Sequence, residues 1–539
     1  MKNSLTALPV ELLFQICEHL CDHCRGERNH PLEFQCDHGY EAYEDDVTGS
    51  KNAPRRGAQR IGLRNLGQTC RALREVAQPF LFHQVYYDND SGLHRFARTL
   101  MERPDLRRHV FEIKVFVHPA ATAAAAAVDQ PHGRENQQVP NLTQLAKVGV
   151  ERDDWWKGLA SSRAWKHKNL INKRCAALVC LVLHLTPNLR WAHLCLPDSM
   201  WNEVGAEMAM WKTSRKLESL TQLSFDYMRD YKDSTTDSEP DLRMLHCHFD
   251  FDAVPIIRMA PNLTALRCCG SDGLYVRRDF AVELGRETPD GPAPLQHLTK
   301  LTFSDMGMDR QDLVYLLAAV GPGLSKVGFE NCGGYRRNIP VPFILGNLFF
   351  AWKETITELA FLDHPSNRWR PLHRDLTRIQ PFLVQFRQLK VLKLRTNSIQ
   401  EISRFLSSML SQVTSGNFPK LRRVEIDNNG GHYTATPPSP AFYHAPEIFY
   451  SQMLPSIAGL ASKGVLVVFY YLKTWEIRGV PPLCLATLRS RYSVASYEGA
   501  MERSQASMRF VPRDKLGSGL MKRLVDQSET RGDLGSVCI

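Results

Sequence analysis

From about residue 185 onward the chain repeats one hydrophobic pattern: an apolar residue, two others, an apolar residue, one other, and an apolar residue. Copies begin at Leu189, Leu220, Leu263, Leu298, Leu324, Ile356, Leu389 and Leu421. The clearest read Leu389-Lys390-Val391-Leu392-Lys393-Leu394 and Leu421-Arg422-Arg423-Val424-Glu425-Ile426. Alternation of this kind marks a short strand with one buried face. In a chain that is 43% hydrophobic, chance supplies the pattern at roughly 8% of positions, so spacing and flanking residues carry the argument. The copies are 26 to 43 residues apart, and helical spacing fills the intervals, as at Leu313, Leu316, Leu317 and Val320. Two copies open alike, with Pro187-Asn188-Leu189 and Pro261-Asn262-Leu263; Asn397 and Asn429 each follow a strand pattern by three residues.

Strand, turn and helix recurring at this period predict an α/β solenoid over residues 185–472. Each strand extends a parallel sheet and each helix covers its outer side. The apolar strand residues are expected in the core and their neighbours on the concave face. On that face Asp226, Glu330, Lys393, Arg395, Glu425 and Asp427 are the candidate target contacts. The apolar stretch Val465–Tyr470 is expected to close the array, and 473–539 to form a loosely ordered tail. Residues 88–184 read as a connecting region and cap, with an alternating strand at Phe111–Val117 and a low-complexity loop near 118–140.

At the N-terminus, Leu8, Leu12, Ile16 and Leu20 recur every four residues, and Leu13 and Cys17 widen the stripe. This predicts an amphipathic helix of about three turns, with Pro9 tolerated in its first turn. Leu66, Cys70, Leu73 and Ala77 predict a second helix ending near Pro79.

The residue identities in these segments resemble the F-box family over residues 5–87. They are Leu8-Pro9-Val10-Glu11-Leu12-Leu13 with Ile16, then Leu63, Leu66 and Cys70-Arg71-Ala72-Leu73-Arg74, then Pro79 ahead of Leu81-Phe82. The resemblance implies a short three-helix module over 1–87 that buries an apolar face on a Skp-type adaptor, which tethers it to a cullin ubiquitin ligase. Carried over position by position, Leu8, Pro9, Leu12, Leu13, Ile16, Leu63, Leu66 and Cys70 would form or support that interface. The halves of the motif lie close together in the family; here residues 21–62 intervene. The repeating body resembles an irregular leucine-rich-repeat array, which implies a concave surface that holds an as yet unidentified target protein.

The intervening segment carries its own chemistry. Cys21-Asp22-His23-Cys24 is followed by Cys36 and His38. Cys21, Cys24, Cys36 and His38 make up the ligand count of a tetrahedral structural zinc. The alternative is that Cys17 belongs to the helix core and the others are incidental loop residues. The polar residues after Cys36 are expected to form a mobile loop.

Composition trims the functional choices. The net charge of +10 is scattered without a basic run, which disfavours nucleic acid as a partner. The longest apolar run, Ala176–Leu185, is too short to span a bilayer, so no membrane association is expected. Fourteen cysteines in a chain of 539 residues, opening on an amphipathic segment, predict mostly reduced thiols in the cytoplasm or nucleus. No phosphate-binding glycine loop or nucleophile elbow occurs, and no catalytic residue is expected. The expected function is substrate recognition within a cullin–F-box ubiquitin ligase. The alternatives are a scaffold of the same build that recruits no cullin, and a zinc-dependent nucleic-acid-binding protein.

Overall fold

The structure is a computed structural model. It describes residues 5, 8–21, 23–24, 56–87, 90–117, 168–197, 200–201, 204, 216–228, 254–269, 295–304, 310–330, 341–362, 376–395, 399–428, 453–471 and 509–512. The fold class is α/β, and the chain divides into two units, 1–298 and 299–539.

The first unit opens with three helices, α1 (Val10–Leu20), α2 (Arg56–Thr69) and α3 (Arg71–His83). Leu13 and Cys17 of α1, Leu63 of α2, and Leu73, Val76, Ala77 and Phe80 of α3 form its buried core, with Ile16, Leu20, Leu66 and Cys70 packed partly buried against it. The single second helix expected here is two helices. The backbone is fully extended at Cys70 (φ −158°, ψ 169°), which ends α2 and opens α3. Two bonds hold that corner: Thr69 Oγ1 donates to the Leu66 carbonyl at 2.7 Å and Arg74 Nε to the Gly67 carbonyl at 3.0 Å. These carbonyls belong to the last turn of α2 and have no helical partner of their own. Helix α3 does not stop at Pro79 but runs through it to His83. By then most of the helix is wound, and proline forfeits one backbone bond. Helix α2 also reaches back to Arg56, into the segment expected to be loop.

Five parallel strands follow in this unit: β1 (Gln84–Tyr87), β2 (Glu112–Phe116), β3 (Trp191–Pro197), β4 (Gln222–Met228) and β5 (Ala265–Cys269), each paired with the next. Helix α4 (Asp90–Glu102) and a 3-10 turn (Pro104–His109) join β1 to β2. Helix α5 (Lys168–Leu185) precedes β3, and α6 (Val254–Met259) precedes β5. Residues 175–183 of α5 are buried without exception, so this apolar run is a core helix rather than an amphipathic one. Among the described residues no helix is long and apolar enough to cross a membrane.

The second unit repeats the scheme with β6 (Lys300–Ser304), β7 (Lys326–Glu330), β8 (Glu358–Leu362), β9 (Val391–Arg395), β10 (Arg423–Asn428), β11 (Leu466–Tyr471) and β12 (Arg509–Pro512). Neighbouring strands are again parallel. Between them lie α7 (Arg310–Ala319), α8 (Val341–Trp352), α9 (Leu376–Leu383), α10 (Ile399–Thr414) and α11 (Leu454–Ser462). The stretch expected to close the array is β11, but it is not the last strand. Arg509-Phe510-Val511-Pro512, in the segment expected to be a loose tail, pairs along it, an edge that an aromatic and β-branched run suits.

Each of the eight pattern copies starts two residues ahead of a strand, β3 through β10, and its first residue is buried at 2% exposure or less. The strand entrances are built alike. The carbonyl of Arg190 accepts both Thr221 N–H and Gln222 N–H, and those of Thr221, Ser325, Thr357 and Lys390 each accept two consecutive N–H groups of the next repeat. Repeating this one junction sets the same register from strand to strand within each unit. Side chains reinforce it: Asn188 Nδ2 donates to the Arg108 carbonyl and Asn262 Nδ2 to the Glu218 carbonyl, both at 2.8 Å. The matching Pro-Asn-Leu openings are therefore matching ties to the preceding turn. Parallel strands in chain order with intervening helices are compatible with a solenoid-like repeat. Asn397 and Asn429, and the low-complexity loop near 118–140, lie outside the described residues.

Helices α10 and α11 end the same way. Gly416 (φ 78°) and Gly464 (φ 76°) take the left-handed conformation. In each case the glycine N–H donates three residues back and the following N–H five back: Gly416 to Val413 and Asn417 to Gln412, then Gly464 to Ala461 and Val465 to Leu460. This is the double-bonded glycine stop that satisfies the last helical carbonyls. A Cβ at Gly416 would meet nothing within 4 Å, so Gly416→Ala should cost about 1–2 kcal/mol through backbone strain alone, read as a lower denaturation midpoint with unchanged circular dichroism.

Candidate functional site

Two features of the N-terminal helices stand out, an uncovered apolar side and a thiol–imidazole cluster. Helix α1 has more apolar residues than one core can cover. Leu13 and Cys17 face α2 and α3, and burial beside Cys21 pushes the Cys17 thiol up to about 11. Leu8, Val10, Leu12 and Phe14 are left exposed, as are Leu5 just before the helix and Ile61 on α2. The candidate adaptor contacts therefore divide. Leu8, Pro9 and Leu12 are at the surface; Ile16, Leu66 and Cys70 are half-buried; Leu13 and Leu63 are core residues that shape the module from inside. Val10, Phe14 and Ile61 join the surface set. Of the apolar stripe expected on α1, Leu13 and Cys17 are core with Ile16 and Leu20 packed against them, while Leu8 and Leu12 are exposed.

The cluster lies where α1 ends. Cys21 is the C-cap of α1, its N–H donating to the Glu18 carbonyl. His23 and Cys24 follow in a short turn, and His83 is the last residue of α3. One donor atom from each of Cys21, His23, Cys24 and His83 lies within 4.8 Å of all the others, and the group could hold a metal ion. His83 Nδ1 is 3.3 Å from Cys24 Sγ and 3.7 Å from Cys21 Sγ; His23 Nδ1 is 3.8 Å from Cys24 Sγ. Aromatic rings wall the group in. His23 stacks on Phe111 at 5.2 Å between centroids, and His83 packs on Phe80 at 4.8 Å and edge-on to Phe111 at 4.9 Å. Burial first, then the neighbouring His23 and His109, lower the His83 pKa to about 4, which keeps its imidazole neutral and its lone pair available.

Of the expected ligands, Cys21 and Cys24 are brought together, while Cys36 and His38 lie outside the described residues. His23 and His83 were missed. His23 falls between the two cysteines at no motif spacing, and His83 stands 59 residues beyond Cys24. Only the helical fold-back of α3 along α1 connects them.

The candidate target contacts are placed on the strands as expected, but four of them are engaged by neighbours. Asp226 Oδ2 is 2.8 Å from His193 Nε2, with both side chains buried. Glu330 is buried and accepts a hydrogen bond from Ser304 Oγ at 3.1 Å. Lys393 Nζ bridges Glu358 at 3.2 Å and Glu425 at 3.4 Å; Lys326 reaches Glu358 at 3.3 Å and Arg423 reaches Glu425 at 2.7 Å. This is a charge ladder across β7, β8, β9 and β10. Arg395 and Asp427 are register partners on β9 and β10. The thiols near Asp226 are not poised for chemistry: burial, then the carboxylate's charge, push Cys195 and Cys268 well above the ordinary cysteine range, the reverse of an activated nucleophile.

Comparison with known proteins returns no match, either to a protein-family model or to a curated protein.

Proposed function

We propose that this chain is a non-catalytic substrate receptor that docks a Skp-type adaptor of a cullin ubiquitin ligase through its N-terminal helices and presents a target protein on its strand-bearing units. The observation that carries the reading is the apolar side of α1. Val10, Leu12 and Phe14 of this short helix, and Leu8 just ahead of it, are exposed, and large apolar side chains left uncovered in one short segment mark an interaction site. The resemblance of residues 5–87 to the F-box supplies the partner's identity. The target surface in this reading is the polar face of the strands. Its charge ladder offers fixed, internally neutralised charge, so shape and the segments between strands would govern selection more than a net potential. Ubiquitin chemistry would belong to partner subunits, and the chain's contribution would be proximity.

The Cys/His cluster fits into the same proposal as a structural zinc site. Two thiolates and two imidazoles are a four-donor set of the softness that zinc accepts, and they leave no open position for a catalytic water.

Affinity purification of the full chain, followed by identification of its partners, tests the docking reading. Recovery of both adaptor and cullin is the expected result. Adaptor without cullin would favour a scaffold that recruits no ligase; neither partner would end the proposal.

A further inference from the structure

We infer that Cys21 Sγ, Cys24 Sγ, His23 Nδ1 and His83 Nδ1 are the four ligands of a closed zinc site, and that Glu112 on β2 is the carboxylate that positions His23. The inference deepens the zinc reading above and does not depend on what the apolar face of α1 binds. It replaces Cys36 and His38 with two histidines that the fold itself delivers.

Three donor pairs already stand at the spacing a zinc site needs, and the remaining pairs lie within 4.8 Å. Zinc–sulfur bonds of about 2.3 Å and zinc–nitrogen bonds of about 2.0–2.1 Å at tetrahedral angles require the donors to stand roughly 3.3–3.8 Å apart. The three separations given above, 3.3, 3.7 and 3.8 Å, fall along the edges of such a tetrahedron. Pairwise thiol–imidazole hydrogen bonding alone does not require all four donors to gather within 4.8 Å of one another. The ligands also come with support. The other ring nitrogen of His23, Nε2, stands 3.9 Å from Glu112 Oε1, within ion-pair range and about 1 Å longer than a hydrogen bond, so a small closure on metal binding would complete the contact. A carboxylate behind a ligating histidine fixes its tautomer and strengthens it as a donor, and losing one typically weakens metal binding 10–100-fold. Phe80 and Phe111 restrict both imidazole rings, so little side-chain freedom remains to be lost on binding.

The placement says what the ion does. Cys21, His23 and Cys24 continue directly from α1, His83 ends α3, and Glu112 begins the second strand. A metal here would clamp the C-terminal end of α1 to the far end of α3 and, through His23 and Glu112, to the first unit's sheet. It would be a fastener for a three-helix module whose own core is small.

The test is zinc content of the purified full chain together with chelator competition. Wild type should carry about one zinc per chain, and the double variant Cys36→Ala/His38→Ala should keep it. His83→Ala and Cys24→Ala should lose it. Glu112→Gln should still bind zinc but yield it to a chelator at 10–100-fold lower concentration, with Glu112→Asp recovering part of the loss. If His83→Ala does not fold, the cobalt-loaded Cys36→Ala/His38→Ala variant decides: intense visible bands of a tetrahedral site with sulfur charge transfer support the set, and weak octahedral bands overturn it. A wild type that binds no zinc after reconstitution would overturn the metal reading as a whole. Zinc that survives His83→Ala but disappears in Cys36→Ala/His38→Ala would overturn this ligand set and leave a zinc site of different composition. Zinc affinity unchanged in Glu112→Gln would remove Glu112 from its positioning role.

Discussion

Phe329→Ala should destabilise the second unit by about 4–5 kcal/mol, near the top of the range for truncating a buried aromatic. Phe329 on β7 stacks on Phe303 of β6 at 5.5 Å and on Phe361 of β8 at 5.8 Å, the second pair within 5° of parallel. The three are direct register partners and all are buried. Truncating the middle ring removes two aromatic contacts, each worth about 0.5–1.5 kcal/mol beyond burial, and opens a cavity between strands that backbone pairing prevents from collapsing. Phe329→Leu keeps most of the volume and should cost under about 1.5 kcal/mol. Urea denaturation of the two variants checks the contrast. Equal losses would assign the whole cost to the ring stack that both variants lack, and a leucine variant as stable as wild type would mean that the stack contributes nothing beyond volume.

Lys393→Met should cost about 3 kcal/mol, although its apolar stem is retained. The Lys393 ammonium stands between Glu358 and Glu425, and side-chain exposure of all three is only 9–12%. Removing it leaves two carboxylates on flanking strands, little solvated and short of a shared partner. Breaking a buried pair in this way typically costs about 3–5 kcal/mol. The lower end applies because Lys326 and Arg423 still reach one carboxylate each. The double variant Lys393→Met/Glu425→Gln should recover part of the loss, since it removes one of the stranded charges. High salt should narrow the difference only slightly, because buried pairs are weakly screened. A loss under about 0.5 kcal/mol would place the ladder among ordinary solvated surface pairs.

Much of the strand architecture was legible because it rests on local periodicity. Leu189 and the seven later pattern starts each mark the turn ahead of a strand, and Leu313, Leu316 and Leu317 do line the core side of α7. Two things were not legible. The first is which apolar residues of α1 face outward. Leu8 and Leu13 are equally hydrophobic, and their opposite fates are decided by where α2 and α3 pack. The second is any relation across long sequence separation. His83 has no motif tying it to Cys21, and nothing in the stretch Lys390–Leu394 says that Lys393 will stand between Glu358 and Glu425. For the same reason the candidate recognition charges Lys393 and Glu425 are each other's partners, while Asp226 and Glu330 are engaged by His193 and Ser304. The break at Cys70 was hidden because its two flanking helices keep the apolar period of a single helix.

Calorimetric titration of the purified chain with a purified Skp-type adaptor asks whether the exposed apolar residues at the start of α1 form the docking surface proposed above. Leu8 and Leu12 are exposed, so Leu8→Asp/Leu12→Asp leaves the core intact while placing two charges in the expected interface. Hot-spot positions are worth about 2 kcal/mol or more each. Docking through this surface predicts saturable binding by the wild-type chain and at least about 100-fold weaker binding by the double variant, with unchanged thermal unfolding. Absence of binding by the wild-type chain, or equal binding by the folded variant, would contradict it.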